Sequence, residues 1–205
     1  HEQELMTKDA TIREIHHRVK NNLQTVSALL RLQSRRSSEE AVKVALAEAE
    51  RRVQAIATVH AALSQNVDES VDFDEVARTI VRMAGAIAST DHSVEVITTG
   101  SFGTIQADQA QALATVLNEL VANSVEHALA DRDGLIEVRA EREGTSMTVT
   151  VADNGVGFVP GTPMSGRGTQ IVHQMVRGEL KGSIEWTPRE GGGTLVTLHA
   201  NLDPA

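Results

Sequence analysis

The N-terminal part of the chain lacks the two residues that most often interrupt a helix, because neither Gly nor Pro occurs before Gly85. Apolar residues within it recur at spacings of three and four, which is the period of one helix face. The first apolar stripe consists of Ile12, Ile15, Val19, Leu23, Val26 and Leu30. The pattern therefore predicts one long helix and limits the segment to architectures built on long helices.

A second helix is predicted after the polar run Arg35 to Ser38, where the apolar rhythm stops. Ser37 followed by Glu40 is the spacing of a capping box, which marks a helix N-terminus. The second stripe follows a heptad pattern: Val42, Leu46, Ala49, Val53, Ile56, His60 and Leu63. One hairpin cannot cover both stripes in water, so we expect a homodimer in which two hairpins form a four-helix bundle.

The remainder of the chain alternates between helix and strand patterns. Helices are predicted at 72–88, 108–130 and 169–180, and strands at 94–99, 135–141, 147–152, 183–187 and 194–201. Mostly antiparallel strands with helices on one face make an α/β sandwich. The expected fold class is α+β, with a helical hairpin over residues 1–66 and a sandwich domain over residues 67–205.

Composition and charge exclude several functions. Residues 1–66 carry 10 Lys and Arg against 8 Asp and Glu, whereas residues 67–205 carry 9 against 20, so the main domain is acidic and unsuited to direct nucleic-acid binding. The absence of Cys excludes disulfides, thiolate metal sites and a cysteine nucleophile. No run of 18 apolar residues occurs, and the polar N-terminus is unlike a signal peptide. We expect a cytoplasmic fragment of a longer protein, without membrane contact.

Two adjacent histidines lie on the first predicted helix. At about 100° per residue, His17 points away from the apolar stripe and shares a solvent face with Asn21, while His16 borders the stripe. An exposed imidazole beside cations is accessible as a nucleophile, and Glu14 at i−3 could orient it or take its proton. On geometry alone, a solvated polar face with two incidental histidines remains the favoured interpretation.

The run of nine residues that begins at His16, His-His-Arg-Val-Lys-Asn-Asn-Leu-Gln, resembles the phosphoacceptor box of the second class of histidine-kinase dimerisation domains, a class close to the HWE-type kinases. In that family the His directly before the Arg is phosphorylated, which corresponds to His17. The resemblance and the helical phase therefore favour the same residue, with His16 as the minority alternative.

Four short motifs follow in the second segment. They are Asn118 to Asn123 on a predicted helix, Asp153 to Gly157 after a strand, Ser165 to Thr169 before a helix, and Gly193-Thr194 at a strand start. Each alone is a common surface pair or turn. In this order they resemble the N, G1 and G2 boxes of the GHKL-type (Bergerat) ATPase fold, over about residues 67–202.

The resemblance implies roles for individual residues. Asn123 would hold Mg²⁺, and Glu119 would support the metal or the transferred proton. Asp153 would bind the adenine amino group, with Thr194 beside it. The glycines complete the set as the pocket floor and the phosphate contacts: Gly155, Gly157, Gly166 and Gly168.

The implied function is that of a sensor histidine kinase, which uses Mg-ATP to phosphorylate itself and then an Asp on a response-regulator receiver domain. The resemblance also suggests a regulator with an RNA-binding antitermination output and a GAF- or PAS-type sensor before residue 1. Glu126 departs from the pattern, because many kinases of this group have a Lys there; His127 or Arg167 could replace that cation. The alternatives are a GHKL ATPase or anti-sigma-type serine kinase, and a degenerate nucleotide-binding dimer scaffold.

Overall fold

The computed structural model describes residues 1–66, 68–86, 92–161 and 166–204. Its helices are α1 (Glu2–Arg36), α2 (Glu40–Leu63), α3 (Phe73–Gly85), α4 (Ala107–Asn123) and α5 (Arg167–Gly178). Its strands are β1 (Ser70–Asp72), β2 (Val94–Gly100), β3 (Thr104–Gln106), β4 (Gly134–Glu143), β5 (Ser146–Asp153), β6 (Ser183–Pro188) and β7 (Thr194–Asn201). A π-helical turn, Ser124–Ala128, extends α4.

The helices α1 and α2 form an antiparallel hairpin. Contacts between them run from Ser34 with Lys43 near the turn to His16 with His60 at the far end. The predicted capping box is wrong: Ser37 has an extended backbone that ends α1, and its hydroxyl accepts from the N–H of Glu39. The N-cap of α2 is Glu39, so Ser37 is too far from the helix to cap it.

One side of α1 remains exposed although it is apolar. Ile15, Val26 and Leu29 are 53%, 43% and 56% exposed, and they fall within about 60° of one another around the helix. The side chains that face α2, among them Val19 and Leu23, are partly buried. The single hairpin therefore covers only part of the apolar surface of α1.

The second segment is an α/β sandwich, as predicted. Its main sheet has the order β2-β4-β5-β7-β6, in which β2 and β4 are parallel and the other pairs are antiparallel. Burial alternates along β4 and β5, so one face of the sheet is packed against α3, α4 and α5. The antiparallel pair β1–β3 was not predicted, because three-residue strands carry too little pattern to detect.

The hairpin and the sandwich share one hydrophobic core. Ala55 and Val59 of α2 lie outside the predicted heptad stripe, yet both are fully buried in the cluster that includes residues of α3 and α4. The helix α2 therefore has a second apolar face that the heptad pattern concealed. None of the helices in the described ranges has the length and apolar content that a membrane span requires.

Candidate functional site

Adjacent positions on α1 place His16 and His17 in opposite environments. His17 is exposed, as are Asn21 and Gln24 on the same face, whereas His16 is buried with 8% of its surface accessible. The helical phase predicts this difference, because consecutive side chains diverge by about 100°. His17 therefore lies where another protein or domain can reach its imidazole.

His16 belongs to a buried polar cluster at the open end of the hairpin. Its Nδ1 lies 3.0 Å from the Nδ1 of His60, and its Nε2 lies 2.9 Å from Oε1 of Glu69. One imidazole must donate and the other accept across the Nδ1 pair. Burial, and then the charge of His16, lower the pKa of His60, while the carboxylate of Glu69 opposes them. The cluster connects α1, α2 and the segment before β1, and it leaves His17 outside.

Glu14 has a different partner from the one predicted. Its Oε1 accepts a hydrogen bond from Nε of Arg18, one helical turn along, at 3.4 Å. Within the described part of the chain, no hydrogen bond joins Glu14 to His17. Both members of the Glu14–Arg18 pair are exposed, so each side chain can change partner at little cost.

A cavity of about 770 Å³ lies between α2 and the sandwich domain. Its walls come from the first half of α2, the C-terminal part of α4, the end of β5 and the start of α5. The predicted residues that line it are Glu119, Asn123, Asp153, Gly157, Gly166, Gly168 and Thr194. Seven residues from the four predicted motifs thus converge on one cavity large enough for a nucleotide.

Asp153 is the most firmly held polar group of the cavity. It is 3% exposed, its Oδ1 accepts from the backbone N–H of Gly155 and Thr194, and its Oδ2 accepts from the Ser124 hydroxyl at 3.0 Å. Thr194 therefore contacts Asp153 through its backbone, at 3.3 Å. The sequence interpretation missed Ser124, which the π-helical turn after Asn123 brings to the end of β5.

Two of the predicted glycines lie in close contact with neighbouring groups, one with backbone and one with a side-chain carboxylate. A Cβ on Gly155 would lie 2.4 Å from the carbonyl oxygen of Ala128, so this glycine holds the end of β5 against the π-helical turn and does not line the cavity. A Cβ on Gly168 would lie 2.6 Å from Oε2 of Glu119. Ser165 and the rest of 162–165 lie outside the described residues, as does the side chain of Arg167.

Glu119 is bound by an arginine of the hairpin. Its carboxylate is 7% exposed and accepts from Nε of Arg52 at 2.5 Å and from Nη2 at 3.3 Å. These hydrogen bonds raise the pKa of the Arg52 guanidinium above its ordinary value. With both oxygens used, Glu119 is not arranged as a metal ligand, whereas the half-buried amide of Asn123 borders the cavity. No metal-binding group of three acidic or histidine side chains occurs among the described residues.

A second arginine of α2 reaches the same side of the cavity. Nη2 of Arg51 donates to Oε1 of Glu126 at 3.0 Å. Neither contact could be predicted from local patterns, because Arg51 and Arg52 pair with residues that are 75 and 67 positions away. In the sequence they are visible only as two charged residues between the apolar positions Ala49 and Val53 of α2.

Comparison with known proteins identifies both segments. Residues 14–87 match the histidine kinase family HisKA_2. Residues 108–204 match the family of histidine kinase-, DNA gyrase B- and HSP90-like ATPases. The two matches confirm the resemblances inferred from the histidine box and from the glycine-rich motifs.

Curated relatives extend over nearly the whole chain. The sensor histidine kinase PdtaS of Mycolicibacterium smegmatis is 46% identical over 203 residues, which are 97% of this chain and 41% of that protein. PdtaS of Mycobacterium tuberculosis strain H37Rv is 46% identical over 199 residues, 95% of this chain and 40% of that protein. The chain thus spans about two fifths of the length of these relatives.

A solved structure supports the fold independently. The histidine kinase domain of the blue-light activated histidine kinase EL346 from Erythrobacter litoralis superposes with a TM-score of 0.65 at 24% identity, covering 98% of this chain and 94% of that one. The chain therefore combines a HisKA_2 histidine kinase segment with a histidine kinase-, DNA gyrase B- and HSP90-like ATPase domain, and nearly its whole length is similar to part of known sensor histidine kinases.

Proposed function

We propose that this chain is the catalytic core of a two-component sensor histidine kinase, which transfers the γ-phosphoryl group of ATP to His17 and then to an Asp of a response-regulator receiver domain. One observation carries the proposal: the same chain displays the exposed His17 on its hairpin and holds the buried Asp153 in a nucleotide-sized cavity. The proposed location is the cytoplasm, where ATP is available. The RNA-binding antitermination output of the regulator stays an expectation from the resemblance.

The cavity residues suit a nucleotide in a definite orientation. Asp153, fixed by three hydrogen bonds, would accept from the adenine amino group, as a charge-assisted acceptor in a buried site. Gly166 and Gly168 at the start of α5 would face the phosphates, where the helix N–H groups favour anions. Asn123 would hold Mg²⁺ together with phosphate oxygens and water, and the cation would neutralise charge on the phosphates. Glu119 could become a second protein ligand of Mg²⁺ only after its hydrogen bonds to Arg52 are broken.

His17 lies away from the cavity in this arrangement. Within the described residues, the hairpin contributes to the cavity wall through Glu40 to Arg52 of α2 and through no residue of α1. A phosphoryl group would therefore reach His17 after the ATPase domain changes position on the hairpin, or from the cavity of a partner protomer. In both cases the exposure of His17 permits the approach.

We also propose that two copies of residues 1–66 form a four-helix bundle, with residues 67–205 as the catalytic domain. The exposed side chains of Ile15, Val26 and Leu29 support this arrangement, because a second hairpin would remove them from water. The stripe lies about 160° from His17 around α1, so the bundle would leave His17 accessible.

Labelled ATP tests the proposed function. We expect the wild-type chain to acquire acid-labile, base-stable label, as phosphohistidine does, and we expect His17→Gln to lose it while His16→Gln retains part. Acid-stable label would instead indicate a serine kinase, and nucleotide binding without label would indicate a scaffold. Equal labelling of the wild type and His17→Gln would exclude His17 as the acceptor.

A further inference from the structure

The cavity wall contributed by α2, α4 and the π-helical turn has more acidic than basic side chains. Glu40, Glu48, Glu119 and Glu126 line it, and a nucleotide would add the negative charge of its phosphates. An anion enters such a site only with compensating cations or hydrogen-bond donors. Arg51 and Arg52 are the permanently charged cations that the described residues place on the wall.

The two guanidinium groups lie at the proposed phosphate end of the cavity. Arg52 bonds to Glu119, whose Oε2 is 2.6 Å from the position that a Cβ on Gly168 would take. Arg51 bonds to Glu126, in the π-helical turn directly after Asn123. Both arginines thus border the elements that would hold the phosphates and the magnesium ion.

Arg51 also has unused hydrogen-bonding capacity. A guanidinium carries five N–H donors, and the hydrogen bond to Glu126 uses one. The Nε of Arg51 is buried and has no acceptor among the described residues. A buried donor without an acceptor is unfavourable, so this side chain would gain from an additional anionic acceptor.

We propose that Arg51 and Arg52 bind the phosphates of the nucleotide, so that the hairpin completes the binding site of the ATPase domain. The inference rests on the proposed function, because it requires the cavity to bind ATP. A guanidinium binds phosphate and carboxylate oxygens with the same forked geometry, so a phosphate can replace a glutamate as its partner. When Arg52 turns to a phosphate, the oxygens of Glu119 become available to Mg²⁺. Nucleotide binding thereby joins α2 to the catalytic domain.

Calorimetric titration of the full chain with ATP, ADP and adenosine tests this proposal. The variants are Arg51→Gln and Arg52→Gln, because glutamine removes the charge and still offers a donor to the neighbouring carboxylate. Arg31→Gln is the matched control: it removes the charge of another hairpin arginine, which pairs with Glu50 and does not line the cavity. Thermal unfolding of each variant verifies that the fold is retained.

We expect each cavity variant to bind ATP and ADP at least tenfold more weakly, while adenosine affinity stays within about twofold and the Arg31→Gln control matches the wild type. Unchanged ATP affinity, or an equal loss for ATP and adenosine, would overturn the inference and leave the proposed function standing. A wild-type chain that binds no ATP would overturn both. If Arg52→Gln does not fold, Arg51→Gln alone decides, since its partner Glu126 is partly exposed.

Discussion

The nucleotide cavity and the outer face of α1 carry the two halves of the proposed reaction, and they are built in opposite ways. In the cavity, Asp153 is 3% exposed and bonded on both oxygens. On α1, His17 is exposed, and within the described residues no hydrogen bond joins it to a neighbour. A side chain that binds a ligand gives higher affinity when folding has already fixed its conformation, because binding then costs less conformational entropy. A phosphoacceptor that must meet a kinase domain and a receiver gains from exposure.

Leu29→Glu is expected to have the largest effect, because Leu29 lies on the exposed apolar stripe of α1, on the side away from His17, where a second copy is proposed to pack. Because Leu29 is 56% exposed in the single chain, each protomer would lose about 1–2 kcal/mol of apolar burial and would also place a charge in the interface. The dissociation constant of the dimer should therefore rise roughly a hundredfold or more. Sedimentation equilibrium should show the wild type at twice 22.0 kDa and the variant near 22.0 kDa.

Gln24→Glu is the control for the dimer test, because it adds the same charge on the opposite side of α1. It should remain dimeric. A wild-type chain that sediments as a monomer at micromolar concentration would contradict the proposed bundle. A Leu29→Glu variant that remains dimeric would show that the dimer interface does not include Leu29.

Asp153→Asn tests the proposed role of the buried carboxylate in the nucleotide cavity. The amide oxygen can accept from the N–H groups of Gly155 and Thr194 only if the NH2 group takes the position of Oδ2, and in the reverse orientation its N–H donors face those two N–H groups. In either orientation the charged carboxylate acceptor for adenine is lost. We expect ATP affinity to fall roughly ten- to a hundredfold, which corresponds to about 1.5–3 kcal/mol. The unfolding free energy should fall by about 1–3 kcal/mol as well, because the side chain is buried.

Asp203→Asn serves as the control for Asp153→Asn, because its carboxylate is exposed and pairs with Lys181. Calorimetry on this control should give wild-type ATP affinity. Unchanged affinity in Asp153→Asn would show that the buried carboxylate supports the fold and does not contact the nucleotide.

His60→Gln should have the smallest effect, on the pH dependence of stability. The pKa of His60 is lowered in the folded chain, so below about 6.5 the unfolded chain binds more protons. The contribution of the neutral ring is therefore complete above that pH and is lost as the pH falls through the folded-state pKa. Denaturant unfolding between pH 8 and about 5 should show a weaker acid dependence in His60→Gln than in the wild type.

His199→Gln provides the comparison for the pH series, because this histidine is exposed on β7 and bonds to Thr148. Its acid dependence should match the wild type. Identical pH curves for His60→Gln and the wild type would show that unfolding does not change the number of protons bound by His60.

Local sequence patterns predicted most helices and strands, whereas the contacts that shape the cavity depend on residues far apart in the sequence. The exposure of His17 follows from the phase of one helix, and the strands follow from alternation along β4 and β5. In contrast, the hydrogen bond from Ser124 to Asp153 depends on a π-helical turn, and Arg52 meets Glu119 across two segments. Such contacts depend on how elements pack against one another, which periodicity does not encode. The same limit explains why the second apolar face of α2 was missed.

The central claim is that His17 receives a phosphoryl group from ATP bound beside Asp153. The most direct measurement is mass-spectrometric mapping of the modified residue after the chain is incubated with Mg-ATP and kept at alkaline pH. The account predicts phosphate on His17 in the wild type, and much less phosphate there in Asp153→Asn when the ATP concentration lies well below the raised Kd of the variant. Phosphate on His16, on a serine or on a threonine, with His17 unmodified, would contradict it.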